Sequence, residues 1–381
     1  MKYLENNEIR ALNVLSAPNF WDRSLFEILM KQFDTGFPAG AFSELVKFSF
    51  IKTDANARFS IHQLMRKSLQ EHQDSTDKKN VHKFMFEHYN NKLKEIDIKA
   101  ITPEHELALT EAFYHAKEAL EAKKLCEWLI SASDPFNRAA FWQLIIPMYE
   151  EMLQILEGKP GSENSDVATT LNNLAGLYDH MGEYGKALLL FQRALDIDEK
   201  VLGPEHPSVA TTLNNLAKLY ESMGEYEKAL QLYRRDLEIS EKVQGNEHSD
   251  VAIILNNLAL LYQSMGEYEK ALPLFQRALE IYEKVLGQKH PNVATTLNGL
   301  AVLYDNMGKY EKALPFYQRA LDICEKVLGS QHPDVATILN NLALLYESMG
   351  EYEKALPLYQ RALDIREKVL GSQHPDVATT L

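Results

Sequence analysis

Apolar and polar positions recur along the second half of the chain with a period of 42 residues. The first full unit runs from Asp166 to Pro207; it returns from Ser208, Asp250, Asn292 and Asp334, and a sixth copy stops after DVATTL at Leu381. Within the unit, Leu171, Leu174, Ala175 and Tyr178 fall at i, i+3, i+4 and i+7, which predicts an amphipathic helix, here helix A. Gly182 follows the last apolar position, where a left-handed residue ends a helix, and it returns as Gly224, Gly266, Gly308 and Gly350. Helix B is expected from about Tyr184, with Ala187, Phe191, Ala194 and Leu195 on its buried stripe and Leu202-Gly203 at its end. Small Ala175, Ala187 and Ala194 let the two helices approach to about 8–10 Å, with Tyr178, Tyr184 and Phe191 filling the space between. Pro207 suits the first turn of the next helix, and Asp250, Asp334 and Asp376 place negative charge at a helix N-terminus. Units that bury their apolar faces only against neighbours form a solenoid, so the fold class is all-α, a superhelical array of antiparallel helix pairs.

The first 74 residues follow another pattern. NNEIRALNVLSAP, DRSLFEILMKQF and AFSELVK predict three helices; FSFIKTDANARFSIHQLM then alternates about the turn-forming Asp54-Ala55-Asn56, a hairpin signal, and HQLMRKSLQEHQ resumes a helix. Three helices and a hairpin make a small winged-helix-like domain over residues 1–74. Residues 75–160 predict a helical connector: STDKKNVHKFMFEHYNNKL, a helix capped by Thr102 with Pro103 at its first position, then KKLCEWLISAS and a helix written as PFNRAAFWQLIIPMYEEMLQILE. Ala112, Ala116 and Ala119, with Trp128 and Trp142 on later helices, suggest degenerate repeats. GKPGSEN, residues 158–164, has a linker's composition, and the regular array occupies 161–381.

Composition narrows the function classes. A chain that is 45% hydrophobic and 25% charged folds, and no run reaches the 18 or so apolar residues of a membrane helix. With no signal-peptide pattern and two cysteines, Cys126 and Cys324, far apart, a cytoplasmic location is expected, with neither disulfide nor metal site. The net charge is −14, and residues 166–375 hold 29 acids against 20 bases, which disfavours nucleic acid. His206, His248, His290, His332 and His374 lie one repeat apart, too far to share one ion. They read as loop residues. Pro273, Pro315 and Pro357, early in helix B, read as structural. No phosphate-binding loop G-x-x-x-x-G-K-[ST] occurs, and no nucleophile–base or paired-carboxylate constellation stands out. Neither an enzyme nor a cofactor is expected.

The order L-x-x-L-A-x-x-Y-x-x-x-G-x-Y-x-x-A-x-x-x-F/Y-x-x-A-L resembles a tetratricopeptide repeat. The 42-residue length, the LNNLA core, the EKALPLYQRALDI helix and the EKVLGSQHPDVAT linker resemble the kinesin-light-chain type. Residues 1–74 are similar to the winged helix of NB-ARC (STAND) signal-transduction NTPases, whose M-H-D-like motif reads Ser60-Ile61-His62-Gln63 here, with Gln63 in place of the acid. That resemblance would make His62 a nucleotide sensor; read from the chain alone, His62 is a histidine at a strand-to-helix junction.

The core stripe of helix A leaves Thr169, Asn172, Asn173, Gly176 and His180 on the other side. Asn172 returns as Asn214, Asn256, Asn298 and Asn340; Asn173 returns as Asn215, Asn257 and Asn341, with Gly299 the one break. Asparagine is a poor helix former, and a carboxamide both donates and accepts, as a peptide backbone requires. The resemblance implies that such asparagines grip peptide backbone; the alternative is a solvated face or bonds to the neighbouring helix. One turn further on stand Gly176, Lys218, Leu260, Val302 and Leu344, then Asp179, Glu221, Gln263, Asp305 and Glu347. Apolar positions flanked by carboxylates favour an extended, neutral-to-basic segment with apolar anchors over an acidic one. Two readings stay open: an adaptor or scaffold that binds peptide segments, and the sensor part of a STAND NTPase whose nucleotide-binding module lies outside this chain. A sixth A helix without its B helix is what a fragment would show.

Overall fold

A computed structural model describes residues 4–158 and 163–370; the expected linker centred on 159–162, His374, Asp376 and the start of the sixth repeat lie outside the described residues. The chain divides into two compact units, residues 1–177 and 178–381.

In the first unit, α1 (Asn6–Leu15) and α2 (Arg23–Gln32) precede a 3-10 turn (Ala39–Ala41), α3 (Phe42–Leu45), β1 (Ile51–Thr53), β2 (Phe59–Ile61) and α4 (Gln63–His72). The two strands pair antiparallel with Ile51 opposite Ile61. Their turn forms because an Asp54 carboxylate oxygen accepts from the Asn56 and Arg58 amides, both at 2.9 Å, while Ala57 takes a left-handed φ of 56°. The third helix is shorter than AFSELVK suggests. Lys47 and Phe48 donate to carbonyls three residues back, which tightens the end of α3 and turns the chain into β1. Trp21 and Phe59 exchange backbone hydrogen bonds of 2.8 and 2.7 Å, so the hairpin is sewn to the entry of α2.

The helices α5 (Ser75–Lys92), α6 (Pro103–Ala119), α7 (Ala122–Arg138), α8 (Trp142–Glu157) and α9 (Ser165–His180) follow. Thr102 caps α6 with Pro103 at its first position, as expected, and His105 completes a capping box with it. The helix expected over residues 135–157 is a correction: Pro135 lies inside α7, and the break falls at Ala139-Ala140. Ala140 is left-handed (φ 63°) and Phe141 donates to the Phe136 carbonyl at 2.8 Å, a helix-ending motif built without glycine and therefore invisible as a breaker.

The second unit alternates B and A helices: α10 (Tyr184–Leu202), α11 (Pro207–Ser222), α12 (Tyr226–Gln244), α13 (Ser249–Ser264), α14 (Tyr268–Leu286), α15 (Pro291–Asn306), α16 (Tyr310–Leu328), α17 (Pro333–Ser348) and α18 (Tyr352–Leu370). Each complete A helix here has 16 residues and each B helix 19. Gly224, Gly266, Gly308 and Gly350 hold φ of 68–76° between them, and Gly203, Gly245, Gly287 and Gly329 hold 87–93° at the other turn, so no L residue fits either place without strain. Val251, Leu255, Ile281, Leu297, Ile323 and Leu339, from five successive helices, belong to one continuous core. Tyr184, expected inside, stands exposed. Among the described residues of this unit there is no strand, and the solenoid of paired antiparallel helices is established.

Candidate functional site

The repeat histidines have a structural task that their spacing conceals. Nδ1 of His206, His248, His290 and His332 accepts the amide N–H two residues on, at 3.1–3.2 Å, so each histidine is the N-cap of its A helix. His62 does the same for α4, accepting from the Leu64 amide at 3.4 Å; it is exposed at the strand-to-helix junction.

Two ladders tie successive repeats together. On the B helices, Arg235, Arg277, Arg319 and Arg361 reach back to Glu199, Glu241, Glu283 and Glu325 at 2.5–2.7 Å. On the A helices the link is shorter: Asn257 donates Nδ2 to Asn214 Oδ1 at 3.0 Å, and Asn341 to Asn298 Oδ1 at 3.2 Å. Two short carboxamides can meet only where backbones lie close, whereas Arg–Glu pairs span a wider gap, so within this unit the A helices line the inner side of the curve.

The asparagine positions are thus half-buried, and the structure brings them together in pairs across repeats: the second asparagine of one unit with the first of the unit before. In the first repeat, Asn173 instead donates to the Thr169 carbonyl at 2.9 Å, back-bonding within its own helix. Asn172, Asn215 and Asn340 are also half-buried. The ladder does not exhaust the groups in it, since a carboxamide has two N–H donors and two lone pairs.

Beside the asparagines, Ile253, Leu260 and Leu344 are large apolar side chains exposed at 39, 38 and 45%. The next turn carries carboxylates. Glu221 accepts from the Tyr233 hydroxyl at 3.4 Å and Glu347 from Tyr359 at 2.9 Å; burial raises the pKa of Asp179, Glu221 and Asp305. Lys186, Lys228, Lys270 and Lys354, at the base of each B helix, lie 4.9–5.4 Å above the rings of Tyr178, Tyr220, Tyr262 and Tyr346, and each also pairs with the glutamate three residues before it. These lysines are tied to the turn; on the stripe itself Lys218 is exposed and is the one cation among the apolar and acidic positions named above.

The first unit has a cleft of about 550 Å³ lined by Trp21, Arg58, His88, Lys92 and Glu104 among others. Its cations are already engaged: Arg58 holds Asp54 at 2.9 Å and lies over Phe20, and Lys92 holds Glu104 at 3.2 Å. Among the described residues no group of three or more His, Cys, Asp or Glu could hold a metal ion, and no helix is long and apolar enough to cross a membrane.

A helix pair closed by a left-handed glycine, recurring with helix A inside, is one repeat type, and the tetratricopeptide repeat model matches residues 137–200, 166–242, 250–326, 303–368 and 334–381. The chain belongs to the tetratricopeptide repeat family. None of the curated proteins matches it. Among solved structures, this tetratricopeptide repeat protein is similar to BtubC (BKLC) from P. vanneervenii, at 26% identity over 60% of this chain and 92% of that one, with a TM-score of 0.51. It is also similar to a putative kinesin light chain with nearly identical TPR-like repeats from Podospora anserina, at 26% identity over 54% of this chain and 98% of that one, TM-score 0.47. A STAND protein with a tetratricopeptide repeat sensor from Pyrococcus horikoshii aligns with 100% of this chain and 59% of its own, at 17% identity and a TM-score of 0.49. The family is non-catalytic, and the fold is that of a protein-interaction scaffold.

Proposed function

We propose that the array binds an extended peptide segment along the inner stripe of its A helices, without chemistry, and that the segment is neutral to basic with apolar anchors. The observation that carries this reading is the alternation on that stripe of exposed Ile253, Leu260 and Leu344 with half-buried carboxamides and the carboxylates of Glu221, Asp305 and Glu347. Apolar side chains standing open beside partly desolvated acids receive an apolar residue next to a cation, and repel an acidic segment. Asn172, Asn173, Asn214, Asn215, Asn256, Asn257, Asn298, Asn340 and Asn341 supply the backbone-matching donors and acceptors. A cytoplasmic protein partner fits this surface. The test is a peptide array probed with the whole chain: binding is expected to concentrate in Lys- or Arg-containing apolar segments, and a preference for acidic peptides would reverse the assignment.

A second reading is supported by residues 4–74, where three helices, a hairpin and a fourth helix follow in the order of a winged helix, with His62 at the strand-to-helix junction. In that reading the repeats are the sensor of a STAND NTPase, and an NB-ARC module elsewhere in a longer protein is held inactive until the stripe is filled. Reading the gene upstream of Met1 for a phosphate-binding loop tests it directly.

A further inference from the structure

One junction on the inner stripe differs from the others. Gly299 stands where the ladder needs an asparagine, and a Cβ there would lie 2.7 Å from Cε1 of Phe275, so the ring edge occupies the place of the missing side chain. The equivalent aromatic residues before Asn257 and Asn341 are Tyr233 and Tyr317. With the asparagine gone, Oδ1 of Asn256 has no hydrogen-bond partner, and Oε1 of Gln263, two turns along α13, has none either. A buried acceptor left without a donor opposes folding, so two on one face of one helix is a stored demand for donors.

Their placement is regular. Ile253, Asn256, Leu260 and Gln263 fall at i, i+3, i+7 and i+10, one stripe of the helix, alternating exposed apolar side chain and vacant acceptor. Gln263 also occupies the middle of a row whose members in the repeats before and after are Glu221 and Asp305. Neutral at its centre and acidic on both sides, the row suits a planar cation whose several N–H groups are shared between carboxamide and carboxylate oxygens.

We propose that the junction of the third and fourth repeats is the specificity subsite of the peptide stripe, and that it takes an arginine side chain flanked by apolar residues seated on Ile253 and Leu260. The proposal rests on the peptide-binding reading above and adds to it the place and the residue. The guanidinium donates to Gln263 Oε1 and to the neighbouring carboxylates, while a backbone or guanidinium N–H meets Asn256 Oδ1 as the Phe275 edge swings aside. The other described junction pairs, Asn214–Asn257 and Asn298–Asn341, hold their acceptors satisfied and make no such demand.

The test uses the full chain and an array of decapeptides with a central Arg between two Leu, each in Arg, Gln and Glu versions; the tightest Arg peptide is then labelled for anisotropy titration. Arg→Gln in that peptide is expected to weaken binding at least tenfold. The double variant Asn256→Leu/Gln263→Leu breaks neither bond of the asparagine ladder, so its melting temperature should hold or rise while affinity falls at least tenfold. Combining peptide and protein changes should cost little more than either alone. Asn256→Asp/Gln263→Glu should tighten the Arg peptide and steepen its salt dependence. Unchanged affinity in the leucine double variant, or losses that simply add, would overturn the subsite while leaving peptide binding standing; an array with no bound peptide would remove both.

Discussion

Nδ1 of His82 on α5 lies 3.0 Å from Nδ1 of His115 on α6, in the interior of the first unit. One ring donates and the other accepts; neither Nε2 has a hydrogen-bond partner, and that of His115 lies 3.8 Å from a Glu111 carboxylate oxygen. Glu111, one turn before His115 and bonded by Asn19 Nδ2 at 2.8 Å, shares this interior. Burial holds His82 down to about 4, with Glu118 opposing it and Lys78 and Arg66 adding to it; burial, then the charges of His82 and Arg66, push His115 lower still.

Both histidines therefore bind protons more weakly folded than unfolded. Their contribution to stability is complete above pH 6.5 and is lost as pH falls, down to about 4 for His82 and further still for His115. Glu111, raised by burial, works in the opposite sense and offsets part of the loss. Trp21, Trp128 and Trp142 are the chain's three tryptophans and all lie in the first unit, so tryptophan fluorescence reports it alone. The unfolding free energy from urea titrations read this way should fall between pH 6.5 and 4, by up to about 1.4 kcal/mol per pH unit for each histidine. His82→Phe should flatten the slope; an unchanged slope would remove the pair as its cause.

Asp236 gives the second unit the reverse dependence. It replaces the alanine found at Ala194, Ala278, Ala320 and Ala362, lies buried on α12, and accepts from Ser240 Oγ at 3.2 Å while its Oδ2 has no partner. Burial raises its pKa from 3.8 to about 7. The folded state thus holds the proton more tightly, and stability falls as pH rises from about 4 to about 7. Asp236→Ala should stabilise the array at pH 8 by about 2 kcal/mol and have little effect at pH 4, measured by denaturation followed at 222 nm.

Replacing Asn257 and Asn341 by alanine removes the donors to Asn214 and Asn298. Each vacated acceptor costs about 1–3 kcal/mol, and alanine's better helix propensity returns about 0.5. A double variant should melt several degrees lower yet remain helical, with peptide affinity reduced. Full affinity at lowered stability would assign these asparagines to the ladder alone.

Nucleotide chemistry gives a clean expectation. With no G-x-x-x-x-G-K-[ST] in the sequence, calorimetry on this chain should detect no micromolar ATP binding, and no phosphate should be released. Micromolar affinity would show a site built without that loop.

Replacing Lys309 with glutamate addresses the one turn where the repeat pattern changes sign. Glu183, Glu225, Glu267 and Glu351 pair with the lysine three residues on, whereas Lys309 takes the glutamate's place three residues before Lys312. Lys309→Glu should stabilise the array by about 0.3–0.5 kcal/mol, a gain that disappears at high salt.

Periodicity alone determined the repeat length, the helix pair, both glycine turns and the continuous core, because each depends on residues within one unit or its copy. The hairpin about Asp54 and the cap at Thr102 were legible for the same reason: their hydrogen bonds join residues two to four apart. The break at Ala140 was not, since alanine is left-handed there only through the bond from Phe141 to Phe136. Nor were the histidine caps, whose even spacing gave no sign that each ring turns back on its own helix. The sequence placed the asparagines on one face, but only the stacking of A helix on A helix decided that they bond each other, and that Gly299 leaves Asn256 without a donor. Bonds spanning 43 residues depend on the curvature of the stack, and that distance is set by how whole repeats pack.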